Sequence, residues 1–127
     1  MPLPATACPQ AFVLTADRAR ALPFYRDVLG LALLGEDDWG ATFALGGGAT
    51  LRLTDHAGWQ PSPHTVIGWV VPDLDTALTA LEGAGVRGKV YEGFGQDARG
   101  IWSGPGARIV WFSDAEGNVL SLTELSG

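Results

Sequence analysis

The sequence predicts an α+β fold built from two paired βαβββ modules forming a curved sheet around a cleft. Strand-like and helix-like stretches occur twice in the same order. The helix-opening residues repeat in register: Asp17 with Asp73, Ala21 with Ala77 and Leu22 with Leu78 are each 56 residues apart, and Gly30 and Gly85 close the helices one residue out of step. The chain has 127 residues, one domain's worth, so each module is too short to bury a sheet face alone and pairing supplies the cover. A single domain is expected, with module one at about 8–57, a linker at about 58–64 and module two at about 65–127. Two half-sheets facing one another enclose a cleft, and alternate strand residues point into it.

Taken in order, Gln10 to Thr15 is a short apolar run bounded by Pro9 and Asp17, which suits a buried strand. A helix is expected over Ala19–Leu29, where Leu22, Tyr25 and Leu29 share one face and Gly30 stops it. Pro23 lacks an amide hydrogen, so that helix begins within a turn of it or kinks there. Ala41–Leu45 and Thr50–Thr54 read as strands joined at Gly46-Gly47-Gly48, a hairpin turn and not a phosphate cradle because no helix follows. After Gly58-Trp59-Gln60-Pro61-Ser62-Pro63, the β-branched run Val66–Val71 is a strand. Asp73 caps a helix whose apolar face is Leu74, Ala77, Leu78, Leu81 and Ala84. Strands follow near Lys89–Glu92, Gly100–Ser103, Arg108–Ser113 and Val119–Leu125, the last two joined by the turn residues 114–118.

Composition removes several function classes. Fourteen acidic against eight basic residues give a net charge of −6, the wrong sign for neutralising a phosphate backbone, so nucleic acid is not an expected partner. The stretch from His56 to Pro72 carries no Asp, Glu, Lys or Arg but is broken by Pro61 and Pro63, so it is no membrane span. The amino-terminal segment has no basic region before its apolar residues, and a cytoplasmic protein is expected. With two His and one Cys, one chain cannot assemble a four-cysteine, a two-cysteine-two-histidine or a three-histidine metal site, nor an internal disulfide. The glycines from Gly83 to Gly88 before Lys89 mimic a phosphate loop, but Val90 replaces the required Ser or Thr and they follow a helix. Cys8 has no His beside it in sequence and reads as a bystander thiol.

Three segments carry a resemblance. DRARALPFYRDVLGL from Asp17 to Leu31, VPDLD from Val71 to Asp75, and FSDAEGNVLSL from Phe112 to Leu122 together resemble the vicinal oxygen chelate superfamily. That superfamily includes glyoxalases, bleomycin- and fosfomycin-resistance proteins and extradiol dioxygenases. The resemblance implies the glyoxalase-like fold and a homodimer. It also implies that a divalent metal, where used, is held by His or Gln, then His, then Glu, from the first strand of each module and the last strand. Those positions are Gln10, Val66 and Ser121 here, and of the three only Gln10 is a plausible ligand type, Val having no donor and Ser a poor one. His64, two residues before Val66, would need a shifted register to substitute, and Glu124 points to the other face of a regular strand.

What the resemblance implies for function is therefore metal-independent binding of a small, partly aromatic molecule, with no cofactor, as in the drug-sequestering resistance proteins. Two alternatives stand beside it: a glyoxalase- or dioxygenase-type enzyme with an altered ligand set, and a metal-free acid/base enzyme using His64, Tyr91 or Glu92. Arg52 is the internal counterpart of Ser121, so Gln10, Arg52, Val66 and Ser121 would form the cleft floor. Arg52 either holds a ligand anion bidentately or pairs with Asp55 or another acidic surface group. Trp39, Phe43, Trp102 and Trp111 are candidate stacking surfaces, whereas Trp69 faces the helix layer by parity. The sign of the ligand's charge stays open, since Arg52 favours an anion and the net charge favours a cation.

Overall fold

Alternation of large apolar and small polar side chains gives each sheet of this protein one closed and one open face. The computed structural model describes residues 2–126, which form two units, one ending at Gln60 and one starting at Pro61. In unit one, β1 (Gln10–Thr15) lies parallel to β4 (Ala49–Asp55), and β4, β3 (Gly40–Gly46) and β2 (Leu33–Asp37) run antiparallel, in the order β1-β4-β3-β2. Val13, Ala41, Phe43, Leu51 and Leu53 are buried with Leu22 and Tyr25 from the helical segment. The alternate residues Gln10, Phe12, Thr42, Thr50 and Arg52 occupy the opposite face.

The helix of unit one is not the regular element expected over Ala19–Leu29. It runs as α1 (Arg18–Pro23) and then widens into a π-helical turn over Phe24–Val28, where the Leu29 amide donates to the Phe24 carbonyl at 3.0 Å. Pro23 cannot donate back along the helix, and the wider ladder absorbs the disruption while Phe24 and Tyr25 are both buried, their rings edge to face at 5.5 Å. Asp17 sits at the N-cap but makes no side-chain capping bond.

Unit two repeats the topology with β5 (Thr65–Val70), β6 (Trp102–Gly104), β7 (Ala107–Ser113) and β8 (Val119–Leu125) in the order β5-β8-β7-β6, again with the first strand parallel to the last. Helix α2 (Leu74–Gly83) buries Leu74, Leu78 and Leu81. Asp73 caps it, accepting from the Thr76 amide at 3.1 Å and from the Thr76 hydroxyl at 2.7 Å, and these bonds hold its carboxyl below the usual range. Glu124 accepts from the Leu74 amide at 2.9 Å, so its carboxylate is engaged at the start of α2.

Three expected boundaries move. β2 was not anticipated as a separate element, because Leu33–Asp37 contains one glycine and two acids and leaves all but Leu33 exposed. The strand expected near Gly100–Ser103 begins later, at Trp102. Lys89–Glu92 is not a strand: the Tyr91 amide donates to the Gln96 side chain at 2.6 Å, and Gln96 donates back to the Lys89 and Gly100 carbonyls at 2.7 Å each. A side chain thus takes the bonds that a neighbouring strand would have supplied. No helix among the described residues is long and apolar enough to cross a membrane.

Candidate functional site

On the open face of unit one, Gln10 is exposed and donates to the Thr50 hydroxyl at 3.1 Å, its register partner. Arg52 keeps 16% of its side-chain surface and is already engaged: it donates to the Thr42 hydroxyl at 3.0 Å and to Asp37 at 2.6 Å. Asp37 also accepts from the Trp39 and Gly40 amides at 2.8 and 3.1 Å, and the Arg52 guanidinium together with these amides lowers its pKa. Of the two roles left open for Arg52, its contacts are those of an ion pair with an acidic surface group, although with Asp37 and not Asp55. Asp55 pairs with Arg18. Trp39 stands 71% exposed at the β2–β3 turn. Phe43 has no exposed surface and its ring lies 6.1 Å from that of Tyr25, so it is a core residue with no face for a ligand.

Unit two brings together more of the candidate residues. Trp111 on β7 is the register partner of Ser121 on β8, Trp102 on β6 is the partner of Ile109, and Gly68 on β5 is the partner of Ser121. A Cβ on Gly68 would collide with the Ser121 hydroxyl, so the missing side chain is what lets Ser121 sit there. Val66 falls in the register irregularity between Thr65 and Ile67. Phe94 is 5.5 Å from Trp111 and 6.4 Å from Trp102, while Tyr91 is 6.1 Å from Trp111 and 6.2 Å from Phe94, measured between ring centroids. Three of these four contacts are edge to face, the arrangement favoured by the ring quadrupoles.

Tyr91, Phe94 and Trp111 border a cavity of about 400 Å³ lined also by Pro63, His64, Thr65 and Val119, within the range that holds a small molecule, while Trp102 stands behind Phe94 and lines neither this cavity nor the next. A second cavity of about 310 Å³ shares Pro63, Tyr91 and Val119 with it and adds Ser62 and Lys89. The Ser62 hydroxyl meets His64 Nδ1 in a short hydrogen bond. Glu92 lies in an exposed turn and lines neither cavity.

The wall is held by a segment without regular structure. Besides the Gln96 bonds, the Lys89 amide donates to the Trp111 carbonyl at 2.7 Å, and Asp97 accepts from the Arg99 and Ile101 amides at 2.9 Å each. At Gly88 a Cβ would run into the Arg99 carbonyl oxygen and Val110, so only glycine permits the two passes of chain to approach so closely. Phe94 and Gln96 were missed by sequence reading. Phe94 sits on no strand, so parity could not aim it, and the available signal was only its place between Gly93 and Gly95.

The residues at the family's metal positions do not fit a divalent cation. Gln10 offers an amide bonded to Thr50, Val66 offers nothing and Ser121 a neutral hydroxyl. Among the described residues no three of His, Cys, Asp and Glu converge.

A family model described as the glyoxalase/bleomycin resistance protein/dioxygenase superfamily matches residues 8–122. No curated protein matches the sequence. Among solved structures, the antibiotic binding protein TnmS3 from a Streptomyces species is 23% identical, with TM-score 0.73, 98% of this chain and 99% of that chain covered. A superfamily member from Sphaerobacter thermophilus is 25% identical, with TM-score 0.71 and coverage of 94% and 97%. Lactoylglutathione lyase from Agrobacterium tumefaciens is 21% identical, with TM-score 0.68 and coverage of 95% of each chain.

Proposed function

The chain belongs to the glyoxalase/bleomycin resistance protein/dioxygenase superfamily, and from that membership we propose that it binds a small, planar, partly aromatic molecule without a metal. The observation that carries the reading is the wall of Tyr91, Phe94 and Trp111 beside a cavity of about 400 Å³. Rings held edge to face by one another keep single faces open in a pre-organised arrangement, and stacking a ligand on one of them costs little side-chain entropy. The likeness in fold to an antibiotic binding protein agrees with sequestration of a toxic compound as the biological use. Absence of a fitting donor set at Gln10, Val66 and Ser121 supports independence from metal.

A second reading rests on His64, Ser62 and Tyr91. An imidazole engaged by a hydroxyl beside a phenol could move a proton on a bound ligand, which would make the protein a metal-free acid/base enzyme. We also infer a homodimer in the cytoplasm. Membership of the superfamily supports the dimer, and an exposed free thiol at Cys8 suits a reducing compartment. Sedimentation equilibrium tests the dimer, with a monomer mass as the contrary result.

Tryptophan fluorescence of chelator-treated protein, titrated with a panel of planar aromatic antibiotics, tests the leading reading. Saturable one-to-one quenching with the ligand recovered unchanged is expected. Quenching that appears only after a divalent metal is restored would favour the metal enzyme, and conversion of the ligand would favour the acid/base enzyme.

A further inference from the structure

The walls of the two cavities carry an answer to the question of ligand charge, which rests on the binding reading above. Among the described residues no carboxylate lines either cavity; the titratable groups there are Lys89, His64 and the Tyr91 phenol. Arg99 pairs with Asp75 and Glu82, and Arg108 with Asp75 and Glu124. Arg87 donates to the Glu82 and Val86 carbonyls, is exposed and lines neither cavity. Lys89 lines the second cavity, and its ammonium meets a neutral partner, the Ser113 hydroxyl at 3.3 Å. Its backbone is fixed from both sides, the amide donating to Trp111 and the carbonyl accepting from Gln96. A half-buried ammonium that lacks a carboxylate partner keeps unspent capacity for an anion.

We propose that the site takes aromatic anions, aryl carboxylates or phenolates, with the ring against Trp111, Phe94 and Tyr91 and the anionic oxygen on Lys89. His64 supplies a second donor: when the Ser62 hydroxyl donates to Nδ1, the neutral ring carries its proton on Nε2. The net charge of −6 does not oppose this. At physiological salt the Debye length is about 8 Å, so distant surface carboxylates are screened while an ammonium in contact with the ligand is not. Arg52 plays no part in it, because Asp37 already occupies its guanidinium.

Calorimetric titration with three probes of one shape, naphthoate, naphthalenemethanol and naphthylmethylammonium, tests the proposal. Naphthoate is expected to bind about tenfold or more tighter than the alcohol, the ammonium probe weakest. Lys89→Gln should abolish the preference for the carboxylate, lowering naphthoate affinity far more than that of the alcohol, while Lys89→Arg, which keeps the charge and guards against a folding artefact, should retain it. Equal affinity for alcohol and carboxylate, or tightest binding of the ammonium probe, overturns the charge assignment while the aromatic pocket stands. A carboxylate preference that survives Lys89→Gln overturns the role of Lys89. Binding of none of the three removes the aromatic pocket and this inference together.

Discussion

Tyr91 and Phe94 leave 37% and 48% of their surface exposed although each ring touches Trp111, and that combination separates them from the core rings Tyr25, Phe43 and Phe112. Trp111→Ala should therefore weaken binding of a planar aromatic ligand by about tenfold or more, since stacked ring pairs are worth about 0.5–1.5 kcal/mol beyond the area they bury. Trp39→Ala, at a turn of unit one, should leave affinity unchanged. Phe43→Ala should lower folding stability by about 3–5 kcal/mol, and chemical denaturation of the variant checks this. Parity arguments could place Trp102 and Trp111 on strand faces because β6 and β7 are nearly the strands the sequence suggests. The same arguments could not separate Phe43 from them, since telling an open face from a helix-covered one needs the helix in place. Arg52 was legible as a residue of the open face, but its partner Asp37 lies on β2, which alternation did not reveal.

At the scale of elements, the segment from Val86 to Ile101 decides where the wall stands. Gln96 satisfies three backbone groups at 2.6–2.7 Å, so Gln96→Ala should destabilise the protein by about 1–3 kcal/mol and speed hydrogen exchange at the Tyr91 amide. Unchanged exchange there would mean that Tyr91 is held by something else. Gly88→Ala should be at least as damaging, because its Cβ meets backbone that has no rotamer to yield. Helix α2, with its Asp73 cap and its buried Leu74, Leu78 and Leu81, was readable because its signals are local, although Ala84, expected on that face, is the exposed C-cap residue. The Lys89–Glu92 strand was misread because a single glutamine seven residues beyond Lys89 supplies the bonding that local pattern assigns to a sheet. Likewise Pro23 announced a disruption of the first helix, but its resolution as a π-turn depends on burying both Phe24 and Tyr25.

Across the whole molecule, ion pairs fasten helices and strands at the surface. Asp75 accepts from Arg108 at 2.9 and 3.2 Å, Glu82 from Arg99 at 2.8 Å, and Asp55 from Arg18. Hydrogen bonds from these arginines hold the Asp75, Glu82 and Asp55 pKa values below the ordinary 3.8 and 4.5. Depressed folded-state values contribute stability that is complete above the unfolded values and is lost as pH falls through the folded ones. The melting temperature should thus hold down to about pH 5 and decline below about pH 4, with a shallower decline in Asp75→Asn. A profile that Asp75→Asn leaves unchanged would assign the acid transition to other groups. The repeat and the family were legible from the sequence, because they are written in periodic pattern and in three local motifs, whereas the order of strands within each unit was not, since β2 carries no alternation and Lys89–Glu92 mimics a strand. The cavity was not, because its walls come from a linker, an irregular segment and three strands that meet only in the folded unit. Indole N–H resonances of chelator-treated protein, titrated with naphthoate, test the binding wall most directly. The Trp111 signal should shift and saturate while those of Trp39 and Trp59 stay in place. Shifts confined to Trp39, or shifts that require an added divalent metal, would contradict a metal-free aromatic site in unit two.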